Sequence, residues 1–250
     1  MADFILETYG LTKEFLGFTA VRDVDLKVRR GTIHALIGPN GAGKTTVFNL
    51  LTKFLEPTSG RIVFGGRDIT RERPAQVARR GMIRSFQISA VFPHLTVREN
   101  VRVALQRPLG TSFHFWRSER SLAALDARAD ALLADVGLGD CLEATATELP
   151  YGRKRALELA TTLALEPDLL LLDEPTSGLG REDIGRISGL IRRAAAKRTV
   201  LMVEHNLSVV ADLSDIITVL TRGRVVAQGS YAEVSESAEV REAYLGTGHA

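Results

Sequence analysis

The run Gly38-Pro39-Asn40-Gly41-Ala42-Gly43-Lys44-Thr45-Thr46 constrains this chain more than any other stretch. It matches G-x-x-x-x-G-K-[ST] and joins two segments of different periodicity. Before it, Ile33-His34-Ala35-Leu36-Ile37 reads as a compact apolar strand. After it a helix is expected from Lys44 to about residue 55, stopped by Glu56-Pro57-Thr58-Ser59-Gly60. Glycines let backbone N–H groups curl around a polyphosphate, and a helix N-terminus adds partial positive charge. Lys44 reaches β- and γ-phosphates, and the Thr45 hydroxyl is a Mg2+ ligand. The chain is expected to bind a nucleotide.

The remaining pattern sets the fold class. Apolar runs at 169–172, 199–203 and 216–220 predict buried strands, with helices at 181–196 and 207–213 between them. Such alternation implies an α/β fold with a parallel sheet covered on both faces. Phe4-Ile5-Leu6 predicts a strand, the alternation Val24, Leu26, Val28 a second, and 61–64 a third. Residues 96–136 read mostly as helices, and a long helix is expected over 152–165, ending before Glu166-Pro167. The hairpin turn Thr221-Arg222-Gly223-Arg224 and a short helix near 238–245 close the chain.

A second chemical cluster narrows the function. Leu169-Leu170-Leu171-Leu172-Asp173-Glu174-Pro175 is a buried strand ending in two carboxylates. Paired acids at a strand end are also compatible with a solvated turn, but the four leucines and the upstream loop favour a site. Ligands of parallel sheets bind at the carboxyl ends of strands, so both acids are expected to face the phosphates. Asp173 then holds Mg2+, and Glu174 orients or deprotonates the attacking water. A GTPase needs an Asn/Thr-Lys-x-Asp base-reading motif, and Thr12-Lys13-Glu14 and Thr52-Lys53-Phe54 both lack its aspartate. Glu174 beside Asp173 favours hydrolysis over transfer to a second substrate.

With these motifs in this order, nearly the whole chain resembles the ATP-binding subunits of ABC transporters. The resemblance implies a P-loop NTPase parallel-sheet core with an antiparallel β subdomain, about 1–87 and 156–250, and a helical subdomain at about 88–155. It places Phe15 where an aromatic stacks on adenine, with a core phenylalanine as the alternative. It places Gln87, within Arg84-Ser85-Phe86-Gln87, as the link from Mg2+ and water to the helical subdomain. His205, in Glu204-His205-Asn206, matches the switch histidine at the γ-phosphate, and Ser177-Gly178-Leu179-Gly180 the loop crossing the ATPase dimer.

Two stretches depart from the family. The signature Leu-Ser-Gly-Gly-Gln, which faces the partner's ATP, is here Leu149-Pro150-Tyr151-Gly152-Arg153. Pro150 has no hydroxyl and no N–H, so the serine's bond to the γ-phosphate is lost. Gly152 still offers an N–H, and Arg153, Lys154 and Arg155 are expected to leave positive charge nearby. Gly180 stands where aspartate is usual. The resemblance therefore implies a second ATPase subunit, with a heterodimer favoured over a homodimer because only a partner can supply an intact signature.

Within the family, Phe48-Asn49-Leu50-Leu51-Thr52, Met82-Ile83-Arg84-Ser85-Phe86-Gln87 and Val240-Arg241-Glu242-Ala243-Tyr244-Leu245-Gly246 resemble the branched-chain amino-acid (Liv-type) group, and the insert at 107–120 resembles its larger ATPase. ATPases for urea or lipopolysaccharide share much of this, and a regulatory subunit with an impaired composite site is the remaining alternative. Ile88, Val91, Phe92, Pro93 and His94 are expected to line the groove that receives the membrane permease, or else an internal apolar patch. Phe113, Phe115 and Trp116 form a second contact or a local cluster.

Composition agrees with a docked subunit. Lys+Arg 32 against Asp+Glu 30 gives +2, too weak a field for nonspecific nucleic-acid or membrane-surface binding. The single cysteine, Cys141, excludes an internal disulfide. The start Met1-Ala2-Asp3-Phe4 lacks signal-peptide character, and no apolar run approaches the roughly 18 residues of a membrane span. The expected location is peripheral, on the cytoplasmic face of the inner (plasma) membrane.

Overall fold

The computed structural model describes residues 3–85, 91–107 and 123–245. Gln87 and Ile88 lie outside them, as do Phe113, Phe115, Trp116 and Gly246. The chain forms two compact units, Met1–Arg84 with Asp168–Pro175 and Ala195–Ala250, and Ser85–Pro167 with Thr176–Ala194.

The first unit contains two sheets. β1 (Phe4–Phe15), β2 (Phe18–Val24), β3 (Lys27–Arg29), β5 (Ser59–Phe64) and β6 (Arg67–Asp68) form an antiparallel sheet in the order β2-β1-β5-β6, with β3 also on β1. β4 (Ile33–Ile37), β7 (Met82–Ser85), β8 (Leu169–Asp173), β9 (Thr199–Val203), β10 (Ile216–Thr221) and β11 (Arg224–Gly229) form the second, in the order β11-β10-β4-β9-β8-β7. The pairs β10–β4, β4–β9 and β9–β8 are parallel, and the hairpin partner β11 turns back against β10.

β1 is far longer than the three-residue run expected. Gly10, at φ 56, lets the strand continue through a register shift against β5, and its N–H donates to Asp25 Oδ1 at 2.6 Å. The strand expected through Val24, Leu26 and Val28 is instead two. Buried Thr8 bridges the break: its hydroxyl donates to the Val24 carbonyl and accepts from the Leu26 N–H, each at 2.8 Å. Helix α1 (Lys44–Leu51) ends four residues early, because Lys53 turns left-handed at φ 64 and donates its Nζ to the Thr70 carbonyl at 2.5 Å. Helix α2 (Pro74–Arg79) was not anticipated, although proline at its first position is a start signal.

A core of the described residues lies in this unit. Phe48, Leu50 and Leu51 of α1 pack with Leu26 and Ile62 of the antiparallel sheet region and with Leu169, Leu171 and Leu201 of the parallel sheet, all fully buried. α1 is the element common to both sheets, and it starts at the glycine loop.

The second unit contains α3 (Val97–Gln106), α4 (Asp126–Asp135), α5 (Tyr151–Leu163) and α6 (Arg181–Ala195). α5 packs on α3 and α4, so the expected boundary at residue 155 falls inside a helix, and the unit runs on to Pro167. The remaining helices are α7 (Leu207–Leu213), α8 (Tyr231–Glu236) and α9 (Ala238–Leu245). α8 too was missed, despite the reciprocal capping pair Ser230 and Glu233. Among the described residues no helix is long and apolar enough to cross a membrane.

His34 on β4 is fully buried; its Nε2 lies 2.7 Å from the Thr218 hydroxyl, and its Nδ1 has no partner among the described residues. Burial pushes its pKa from 6.5 down to about 4. The unfolded chain therefore takes up this proton first as pH falls. The stabilisation is complete above pH 6.5 and drains away toward pH 4, a loss of about 3 kcal/mol by linkage. In His34→Gln, urea unfolding across this window should show a correspondingly shallower loss of stability than in the parent chain.

Candidate functional site

The glycine loop is shaped by contacts that tolerate no side chain. A Cβ on Gly38 would lie 2.1 Å from the Leu220 carbonyl oxygen, and one on Gly43 2.6 Å from that of Ala20. The Ala42 carbonyl accepts from the Gly223 N–H at 2.9 Å, fixing the loop to the β10–β11 turn. Asn40, Gly41 and Thr45 are exposed, Pro39, Gly43 and Thr46 half-buried, and Ala42 buried. No acidic residue stands in the first turn of α1, so its positive end is uncompensated by a nearby carboxylate of its own. Lys44 Nζ donates to the carbonyls of Gly38 (2.7 Å) and Pro39 (3.0 Å). Burial lowers the Lys44 pKa, against which Glu174 and Asp173 both pull upward.

Strand order explains why those two acids act on Lys44. β9 lies between β4 and β8, and Asp173, the last residue of β8, stands opposite Val203, the last of β9. Asp173 is buried. Glu174 follows in the left-handed region at φ 48, with its N–H on the Val203 carbonyl at 2.9 Å and its carboxylate half-buried. His205 emerges two residues beyond β9, and its Nδ1 is 3.9 Å from Glu174 Oε2. Its backbone is held by Glu204, whose Oε2 accepts from the N–H groups of His205 (3.1 Å) and Asn206 (3.3 Å). Asn206 in turn caps α7.

Sequence reasoning missed Arg84. Its Nη2 donates to Asp173 Oδ2, its Nη1 donates to Asn49 Oδ1 at 2.7 Å, and its Cζ lies 5.7 Å from the Phe48 ring centroid. The only signal was its place three residues before Gln87. Phe15 is 40% exposed at the tip of the β1–β2 hairpin, with Lys13 Nζ 5.1 Å from its ring centroid, which removes the core alternative.

A nucleotide and a divalent cation fit these residues. The loop's backbone approaches too closely for side chains, and the donors Thr45 and Asp173 offer hard oxygens. No group of three or more His, Cys, Asp or Glu able to hold a metal exists among the described residues.

The second unit carries the departed signature. Leu149 is buried, and Pro150 is the residue capping α5 (φ −56, ψ 155) and not a member of its first turn. Tyr151, 48% exposed, donates its hydroxyl to the Ser177 carbonyl at 3.3 Å and lies against Gly178. The positive charge expected here is largely compensated. Arg153 forks onto Asp140 at 2.8 and 3.2 Å, and Arg155 pairs with Glu158 at 2.9 Å. Phe92, Pro93 and His94 are exposed and Val91 half-buried, so the internal-patch alternative fails for residues 92–94.

Comparisons with known proteins agree in extent. Residues 21–177 match the model described as ABC transporter, and residues 224–250 that described as branched-chain amino acid ATP-binding cassette transporter. The high-affinity branched-chain amino acid transport ATP-binding protein BraF of Pseudomonas aeruginosa is 38% identical over 97% of this chain and 98% of its own length. LivG of Escherichia coli, which bears the same description, is 37% identical over 98% and 99%. Among solved structures, the ADP conformation of the ABC transporter cassette MJ1267 superposes with a TM-score of 0.84 at 28% identity, over 97% of this chain and 99% of that one.

A Cβ on Gly152 would lie 2.4–2.5 Å from the Asp183 carboxyl group. Gly152→Ala should therefore cost about 1 kcal/mol by pushing Asp183 aside. A double-mutant cycle with Asp183→Ala, read by urea unfolding, should recover most of that cost.

Proposed function

The chain belongs to the ABC transporter family of ATP-binding proteins, and from that premise we propose that it is the ATP-hydrolysing subunit of a branched-chain amino-acid transporter. The observation that carries the hydrolytic part is the pairing of Glu174 with His205, 3.9 Å apart at the ends of neighbouring strands and beside the lysine of the glycine loop.

In this reading ATP is the substrate. The N–H groups of residues 38–46 cradle its phosphates, and Lys44 exchanges the carbonyls of Gly38 and Pro39 for β- and γ-phosphate oxygens. Phe15 stacks on adenine. Mg2+, when bound, neutralises charge on the β- and γ-phosphates, and Thr45, Asp173 and Gln87 are the residues assigned to hold it. Glu174 orients the water and accepts its proton, which leaves as the new oxygen–phosphorus bond forms and the γ-phosphoryl parts from ADP. His205 holds the γ-phosphate by hydrogen bonding. The left-handed backbone at Glu174, an uncommon conformation for a non-glycine residue, is consistent with a carboxylate positioned for chemistry.

The working assembly is a pair of ATPase subunits docked on membrane permease subunits at the cytoplasmic face. The exposed residues Phe92, Pro93 and His94 contribute to the surface that receives the permease. A heterodimer is favoured because Pro150 removes one phosphate ligand and the neighbouring arginines are already ion-paired. The site built on Lys44, Asp173, Glu174 and His205 then works with an intact signature from a different ATPase, and the site completed by Leu149 to Arg153 is weak.

Two measurements test this. Glu174→Gln should bind ATP with unchanged affinity and lose turnover by roughly a hundredfold or more; undiminished phosphate release would remove Glu174 from its role. The isolated chain should hydrolyse ATP slowly, and Pro150→Ser should raise its rate at constant protein concentration. Full activity of the parent chain alone, indifferent to that substitution, would contradict the asymmetric arrangement.

A further inference from the structure

We propose that Arg84 is a resident counter-cation on Asp173 which competes with the divalent cation and so sets how much of it the site requires. The inference rests on the reading of Asp173 as a Mg2+ ligand. A carboxylate as buried as Asp173, whose side chain is 2% exposed, is costly unless a positive charge compensates it. Among the described residues, Lys44 directs its Nζ to the loop's own carbonyls at Gly38 and Pro39 and not to Asp173. Arg84, 11% exposed at its side chain, is the cation in contact, through Nη2 on Oδ2.

The geometry is that of a shared ligand and not of a closed clamp. A bidentate arginine takes both carboxylate oxygens. Here the two arms diverge, Nη2 to Asp173 and Nη1 to Asn49 Oδ1 at 2.7 Å, so Oδ1 of Asp173 stays outside the pair. Nε is buried with no hydrogen-bond partner among the described residues. The guanidinium is aimed by Asn49 and by the face of Phe48, both on the helix that starts at the glycine loop. A delocalised single charge thus sits on the carboxylate that a doubly charged ion needs. Two cations on one carboxylate repel each other at short range in a poorly screened interior. A purely structural arginine would support metal binding or leave it unchanged, whereas a competing one weakens it.

The test uses the full chain with Mn2+ as the probe and a non-hydrolysable ATP analogue, reading free Mn2+ by electron paramagnetic resonance. Arg84→Met should tighten Mn2+ roughly tenfold. Asn49→Ala keeps the charge but releases its aim and should tighten Mn2+ by a smaller factor, so the test stands even if Arg84→Met fails to fold. Unchanged or weaker Mn2+ binding in whichever of these variants folds overturns the proposal. Asp173→Asn separates the two levels. Mn2+ binding indifferent to Asp173→Asn removes the underlying ligand assignment, while Asp173-dependent binding that ignores Arg84 and Asn49 removes only the competition.

Discussion

The absence of side chains at Gly38 and Gly43 is the constraint on which the first unit depends. With no Cβ at either position, the loop rests on the carbonyl of Leu220 from one sheet and the carbonyl of Ala20 from the other. That contact sets where α1 begins, and α1 supplies Phe48, Leu50 and Leu51 to the core shared by both sheets. Packing and chemistry are therefore fixed by the same few atoms. Any residue larger than glycine would have to push apart backbone that the remaining core holds in place, because interiors at crystal-like density yield little.

A second constraint is strand order. A loop after β4 and acids at the end of β8 are far apart in sequence, yet only β9 separates their strands. His205 leaves from the intervening strand, so one parallel arrangement gathers the lysine, both carboxylates and the imidazole. Right-handed crossovers between parallel strands make such gatherings at the carboxyl edge a general property of these sheets. Around them stand the left-handed turn at Glu174 and the largely buried guanidinium of Arg84.

Much of this was legible in the residues. The glycine loop, the strand Thr199–Val203 and the helix Leu207–Leu213 follow from local apolar period and punctuation, and the structure has them at the expected residues. Elements decided by long-range pairing were read less well. β1 hides its length behind Gly10, since a glycine inside a strand looks like an end unless its partner strands are known. The break between β2 and β3 depends on one hydroxyl, Thr8, whose bonds lie sixteen and eighteen residues away. Ion pairs were the least legible. The charge at Arg153 and Arg155 is visible in sequence, but its compensation by Asp140 and Glu158 requires knowing which surfaces meet. Arg84 has the same difficulty, its partner being eighty-nine positions distant.

The division of the chain has a practical consequence for transplanting parts of it. The helical unit is assembled from two separate segments, Ser85–Pro167 and Thr176–Ala194. The short stretch left between them, Asp168–Pro175, is the strand bearing Asp173 and Glu174. No single contiguous graft can exchange this unit without carrying the acidic strand along. A chimera that keeps the recipient's own acids needs four junctions, two of them flanking β8, whereas a one-piece swap over 85–194 imports the donor's acids together with its helices.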